Sequence, residues 1–203
     1  RIGTFSLSDA MLITTGIANL NLASNATFNA SGFNVTAGSV TTQSGTTLNM
    51  STGTFALTST SGAIWTGSGT INASTSTVTL STASTSARTF VGGGKTYASL
   101  TYNVANSPGS LTITGANTFT NLNVASGRIL TMPSATTTTI APTGTFNVNG
   151  AANGYVYLPG VTGNYISAPD SAAISIVGDI DMRCVAAMDD WTPSIIQTFI
   201  GKY

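Results

Sequence analysis

From Ala26 to Ile140 the chain alternates small polar residues with Val, Ile, Leu, Phe or Thr in short runs. These are TFNASGFNV, TTLNM, GTFALTS, GTINA, STVTLST, SLTYNV, SLTITG, NTFTNLNV and TTTTIAP. Side chains on a strand point alternately to its two faces, so this period predicts strands with one buried and one wet face. Ser-Gly, Thr-Gly, Gly-Gly-Gly and Ser-Pro-Gly separate the runs, and each is a turn former. No segment from 26 to 150 carries a helical period.

The runs also repeat. NMSTGTFAL at Asn49 returns as NASTSTVTL at Asn72, 23 residues later, with Asn, Ser, Thr, Thr and Leu in place. FNVT at Phe33 answers FALT at Phe55, and TYASLTY at Thr96 answers TFTNLNV at Thr118, each after 22 residues. A sandwich pairs its strands in hairpins and needs no fixed recurrence, whereas stacked coils do. The expected fold is therefore all-β: a parallel β-helix with coils of about 22 residues and two or three short strands per coil. In that register Phe33, Phe55 and Val78 form one inward ladder, and Val35, Leu57 and Leu80 another.

Residues 1–25 are less regular and are expected to form a cap or a first coil. LSDAMLITTGIANLNLA reads as a short helix capped by Ser8 or Asp9, turning into a strand through Ile17, Leu20 and Leu22. The solenoid is placed at 26–160. Composition shifts near Tyr155, and after Gly160 come five of the six acidic residues, the cysteine and one of the two tryptophans. Residues 161–203 are read as a separate unit with strands at Tyr165–Ser167, Ile180–Met188 and Thr198–Tyr203. In the middle strand Ile180, Met182, Cys184, Ala186 and Met188 share a face.

Charge narrows the chemistry. Only 6% of the 203 residues are charged, Glu and His are absent, and mean hydropathy is +0.27. Between Asp9 and Asp170 there is no carboxylate, and the only bases are Arg88, Lys95 and Arg128. Zero formal net charge excludes the dense basic surface that nucleic acid requires. The long uncharged run is saturated with Thr, Ser, Asn and Gly, so no membrane-inserting helix is expected. The chain starts at Arg1 without Met and reads as a piece of something longer.

Several residues invite a functional reading. Sugar-cleaving β-helices need paired carboxylates, or acidic calcium ligands and a base, and the solenoid segment has none, so no catalytic residue is assigned. Cys184 has no His partner in the whole sequence and reads as a small apolar residue. Asp179, Asp181, Asp189 and Asp190 read as turn and edge residues around a strand, and no metal or cofactor is assigned. Gly92–Gly94 with Lys95 lacks the spacing of a phosphate loop and reads as a corner where two coils approach closely. Asn-x-Ser/Thr triplets at Asn25, Asn29, Asn34, Asn49 and Asn72 are expected by chance in so Asn-, Ser- and Thr-rich a chain. The string Thr75-x-Thr77-x-Thr79 suggests an ice-binding threonine array, but the neighbouring coil places Gly53, Thr54 and Ala56 there, which breaks it. Trp65, Tyr97, Tyr102 and Trp191 have rings that stack on sugars in other settings; inward packing is the simpler expectation.

Two resemblances extend this reading. IWTGSGTINASTSTVTL, TFVGGGKTYASLTY and NTFTNLNVASG resemble the Gly/Thr-rich β-helical repeats of bacteriophage tail and fibre proteins and of some bacterial surface proteins. Tyr165–Ala173, Gly178–Arg183, Asp189–Pro193 and Gln197–Lys202 are similar to the opening strands of concanavalin A-like lectin/glucanase (LamG-type) domains in phage minor tail proteins. The resemblances imply a β-helix followed by the first strands of a jelly-roll β-sandwich. They also imply a structural protein of a phage virion that presents a lectin-like host-attachment domain. Its implied partners are other tail proteins, further copies of itself (a trimer favoured) and a host-surface glycan. A bacterial adhesin or autotransporter-type passenger is the alternative.

Overall fold

The computed structural model describes residues 3–13, 19–23, 25–104, 109–125, 128–131, 137–149, 156–159, 165–167, 173–177 and 180–183. The chain winds as a β-solenoid. The first coil carries β1 (Thr4–Ser6), β2 (Met11–Leu12) and β3 (Leu20–Leu22), and the second β4 (Thr27–Asn29), β5 (Val35–Ala37) and β6 (Val40–Thr42). The third carries β7 (Thr47–Asn49), β8 (Thr54–Leu57) and β9 (Gly62–Gly67), and the fourth β10 (Thr70–Asn72), β11 (Thr77–Leu80) and β12 (Arg88–Val91). Then come β13 (Thr96–Tyr102) and β14 (Ser110–Thr114), β15 (Thr118–Ala125) and β16 (Ile129–Thr131), β17 (Thr137–Asn149) and β18 (Val156–Pro159). The last described strands are β19 (Tyr165–Ser167), β20 (Ala173–Val177) and β21 (Ile180–Arg183).

Every described pairing is parallel and joins one coil to the next. Sheet A is β1-β4-β7-β10, sheet B runs from β2 through β5, β8, β11, β13 and β15 to β17, and sheet C from β3 to β21. Asn49 lies opposite Asn72 and Leu57 opposite Leu80, as the 23-residue repeat requires, and Thr96 lies opposite Thr118. One ladder differs from expectation. Val35, not Phe33, faces Phe55 and Val78, and Ala37 rather than Val35 faces Leu57 and Leu80. The step from the second coil to the third is 20 residues here, because the second coil spends 5 residues from Val35 to Val40 where the third spends 10 from Phe55 to Trp65; Phe33 falls at the corner beside Gly53 of the next coil, 36% exposed. The inward column is then Val35, Phe55, Val78, Leu100, Leu122 and Phe146, all buried.

The cross-section changes along the stack. Between equivalent outward positions of sheets C and B the chain spends 13 residues from Thr41 to Thr54, and 11 from Thr66 to Thr77. It then spends 8 from Val91 to Ser99 and 7 from Thr114 to Asn121. Eight residues are too few for a separate strand with a corner at each end, so sheet A stops at β10. Its side is taken over by the first residues of β13 and β15. Within those strands the alternation slips: Ala98 and Ser99 both sit half-exposed between buried Tyr97 and Leu100, and Thr120 and Asn121 repeat this between Phe119 and Leu122. The slip is the corner, made inside a continuous strand.

β1, β2 and β3 form a first coil on β4, β5 and β6. The helix expected from Ser8 or Asp9 is not formed by the described residues. Asp9 instead accepts a hydrogen bond from the Ala10 amide at 2.7 Å, and Met11–Leu12 joins the ladder of Val35 and Thr36. A ready parallel edge with an inward slot for Met11 outweighs the weak local preference of so short a segment. At the far end, β19 and β20 both pair with β17, and β21 pairs with β18. The strand expected at Ile180–Met188 is described as far as Arg183. Cys184, Asp179, Asp189, Asp190, Trp191 and Thr198–Tyr203 lie outside the described residues.

Candidate functional site

The surface of the solenoid is the first place to look for function, and sheet A is its most regular face. Thr4, Thr27, Thr47 and Thr70 stand in one column, and Ser6, Asn29, Asn49 and Asn72 in a second column two residues further along. The residue between them points inward: Phe5, Phe28, Leu48 and Ile71. The asparagines bond to one another along the stack. Asn72 Nδ2 donates to Asn49 Oδ1 at 2.6 Å, Asn49 Nδ2 donates to Asn29 Oδ1, and Asn29 Nδ2 donates to Ser6 Oγ at 3.0 Å. Each amide is both donor and acceptor, so the column is a polarised chain in which neighbours strengthen one another.

This column explains the recurring Asn-x-Ser triplets. The asparagine holds the ladder, the middle residue (Ala30, Met50, Ala73) is buried, and the serine takes the left-handed corner, with φ of 55°, 59° and 51° at Ser31, Ser51 and Ser74. A corner motif, rather than chance or a glycan acceptor, accounts for them. The threonine string on sheet B is interrupted as expected, with Thr77 beside Thr54 and Thr79 beside Ala56. The unbroken threonine column lies on sheet A instead. Its signal was present in the sequence as the triplets TFS, TFN, TLN and TIN.

The aromatic residues lie inside. Trp65, Tyr97 and Tyr102 are each at most 1% exposed. Trp65 stacks on Phe90 at 5.6 Å and Tyr97 on Phe119 at 5.5 Å, and the two stacks meet edge-on between Phe90 and Tyr97 at 5.0 Å. Trp65 Nε1 donates to the Tyr97 hydroxyl at 2.9 Å, and that hydroxyl donates to the Gly92 carbonyl at 2.8 Å. Burial pushes the Tyr97 hydroxyl far above its ordinary value of 10.0, partly opposed by the Trp65 hydrogen bond. None of these three rings offers a platform for a sugar.

The triglycine before Lys95 is a corner, as expected. A side chain at Gly93, whose φ is +67°, would land on the Gly67 carbonyl of the preceding coil. Buried Asn117 sits beneath the corner: its Oδ1 accepts from the Gly94 amide at 3.0 Å and its Nδ2 donates to the Thr114 carbonyl at 2.9 Å.

Sequence reading missed the interior of the corner between sheets B and C. Arg88 is fully buried and Arg128 is 6% exposed, and both guanidinium carbons lie over the Tyr102 ring, at 5.2 and 5.9 Å. Arg88 Nη1 also donates to the Thr82 carbonyl at 2.9 Å, and the Tyr102 hydroxyl donates to the Gly109 carbonyl. Burial lowers the proton affinity of Arg128; Tyr102 opposes this and the charge of Arg88 adds to it. The ring face attracts both cations and ties three successive coils together.

Because both arginines are buried, Lys95 is the one surface charge between residues 10 and 169. Among the described residues no three metal-ligating side chains come together, and no helix is long and apolar enough to cross a membrane. The described surface offers mainly hydroxyls and amides. No protein-family model matches the sequence, and comparison with curated proteins and with solved structures gave no match. The fold and the surface between residues 10 and 169 together define the class: a parallel β-solenoid with one surface charge along that stretch.

Proposed function

We propose that this chain is a structural component of a bacteriophage virion, a minor tail or fibre-like protein. Its β-helical arm presents a lectin-like head toward a host-surface glycan. The observation that carries the reading is the stack of parallel strands formed by the described residues, together with the segment Tyr165–Lys202 that resembles LamG-type openings. On this reading residues 161–203 begin the head, and the described parts of that segment pair with the arm itself, through β17 and β18. Head and arm then join by strand pairing rather than by a linker.

Geometry says what such an arm contributes. Seven strands of sheet B from β2 to β17, stacked at about 4.8 Å, give a rod about 29 Å long. The same stretch as a flexible chain would average about 60 Å end to end but point nowhere. The arm fixes direction rather than reach. A head held in one orientation, in several copies, gains avidity without new contacts. Other tail proteins and further copies of this chain, in threes, are the proposed neighbours; mass by light scattering at micromolar concentration tests the copy number, and a monomer would contradict it.

The assignment is tested by mass spectrometry of purified virions, where the protein should be found; its presence only in host cytoplasm would overturn the reading. The attachment role is tested by comparing the whole protein with a version ending at Gly160 for binding to host cell-wall glycans. If the shortened arm binds equally well, the receptor site lies on the solenoid. An adhesin, the other reading of the same fold, would show a membrane β-barrel or cell-wall anchor in the complete gene product.

A further inference from the structure

We draw no further inference here: the strongest candidate, the outer end of the first coil, where Phe5 stacks on Phe28 yet stays 57% exposed beside the edges of β1–β3, is an unpartnered apolar face, and nothing in the structure shows what covers it.

Discussion

The Tyr97 hydroxyl is a single oxygen on which two buried groups depend, so Tyr97→Phe is a sharp test of how the core is sealed. The substitution keeps the ring, its stack on Phe119 and its edge-on contact with Phe90. It removes the acceptor of the Trp65 indole N–H and the donor to the Gly92 carbonyl. Each buried polar group left without a partner costs about 1–3 kcal/mol, so the expected loss is about 2–5 kcal/mol. The Gly67 backbone packs against the same oxygen, which leaves little room for a replacing water. With a urea slope of about 2 kcal/mol/M, the unfolding midpoint should fall by about 1–2.5 M. Equilibrium urea unfolding followed by circular dichroism reads this directly. A double-mutant cycle with Trp65→Phe should recover about 1 kcal/mol or more as coupling, since the second change removes one of the orphaned groups. A loss under about 0.5 kcal/mol for Tyr97→Phe, with no coupling, would refute the sealed-core argument.

Three further outcomes are expected. Gly93→Ala should cost about 2–5 kcal/mol, from left-handed strain plus collision with the Gly67 carbonyl. Gly62→Ala, at φ +70° with open space around it, should show strain alone, about 1–2 kcal/mol. Equal thermal shifts for the two would remove the close-approach explanation of the triglycine corner. Asn49→Asp puts a carboxylate where an amide now donates to Asn29, for a loss of about 1–2 kcal/mol near neutral pH. The folded state should raise that carboxyl, so the loss should shrink as pH falls from neutral toward about 4 and be smallest below it, and a melting temperature indifferent to pH would count against the amide column. In the wild type, Tyr97 is held neutral in the fold while the unfolded residue ionises near 10.0. Its contribution is complete below that pH and is lost as pH rises through and beyond it. Stability against pH should therefore turn down above about 10, less steeply in Tyr97→Phe, and an identical alkaline slope in both proteins would contradict the assignment.

Much of the fold was legible because the coils repeat themselves in kind. Asn49 and Asn72, Leu57 and Leu80, and Thr96 and Thr118 align by identity, and the structure sets each pair side by side. Phe33 misled for the same reason: it looks like Phe55, but the second coil is shorter than the third between sheets B and C, so the register sets Val35 beside Phe55 and leaves Phe33 at the corner. The helix at Ser8–Asp9 was a local reading that a neighbouring strand edge overrode. The arginine pair on Tyr102 was hidden because nothing in a lone Arg88 or Arg128 says which way it points; only the register of three coils brings them to one ring. The amide column was visible as Asn-x-Ser but resembled compositional noise until Asn29, Asn49 and Asn72 were stacked.

The burial of both arginines has a consequence beyond packing. The solenoid keeps Lys95 as its one ionic group at the surface between residues 10 and 169, so along that length a partner can form a direct ion pair at one place only. Whatever it finally touches, recognition along this stretch has to be made of shape, hydroxyls and amides.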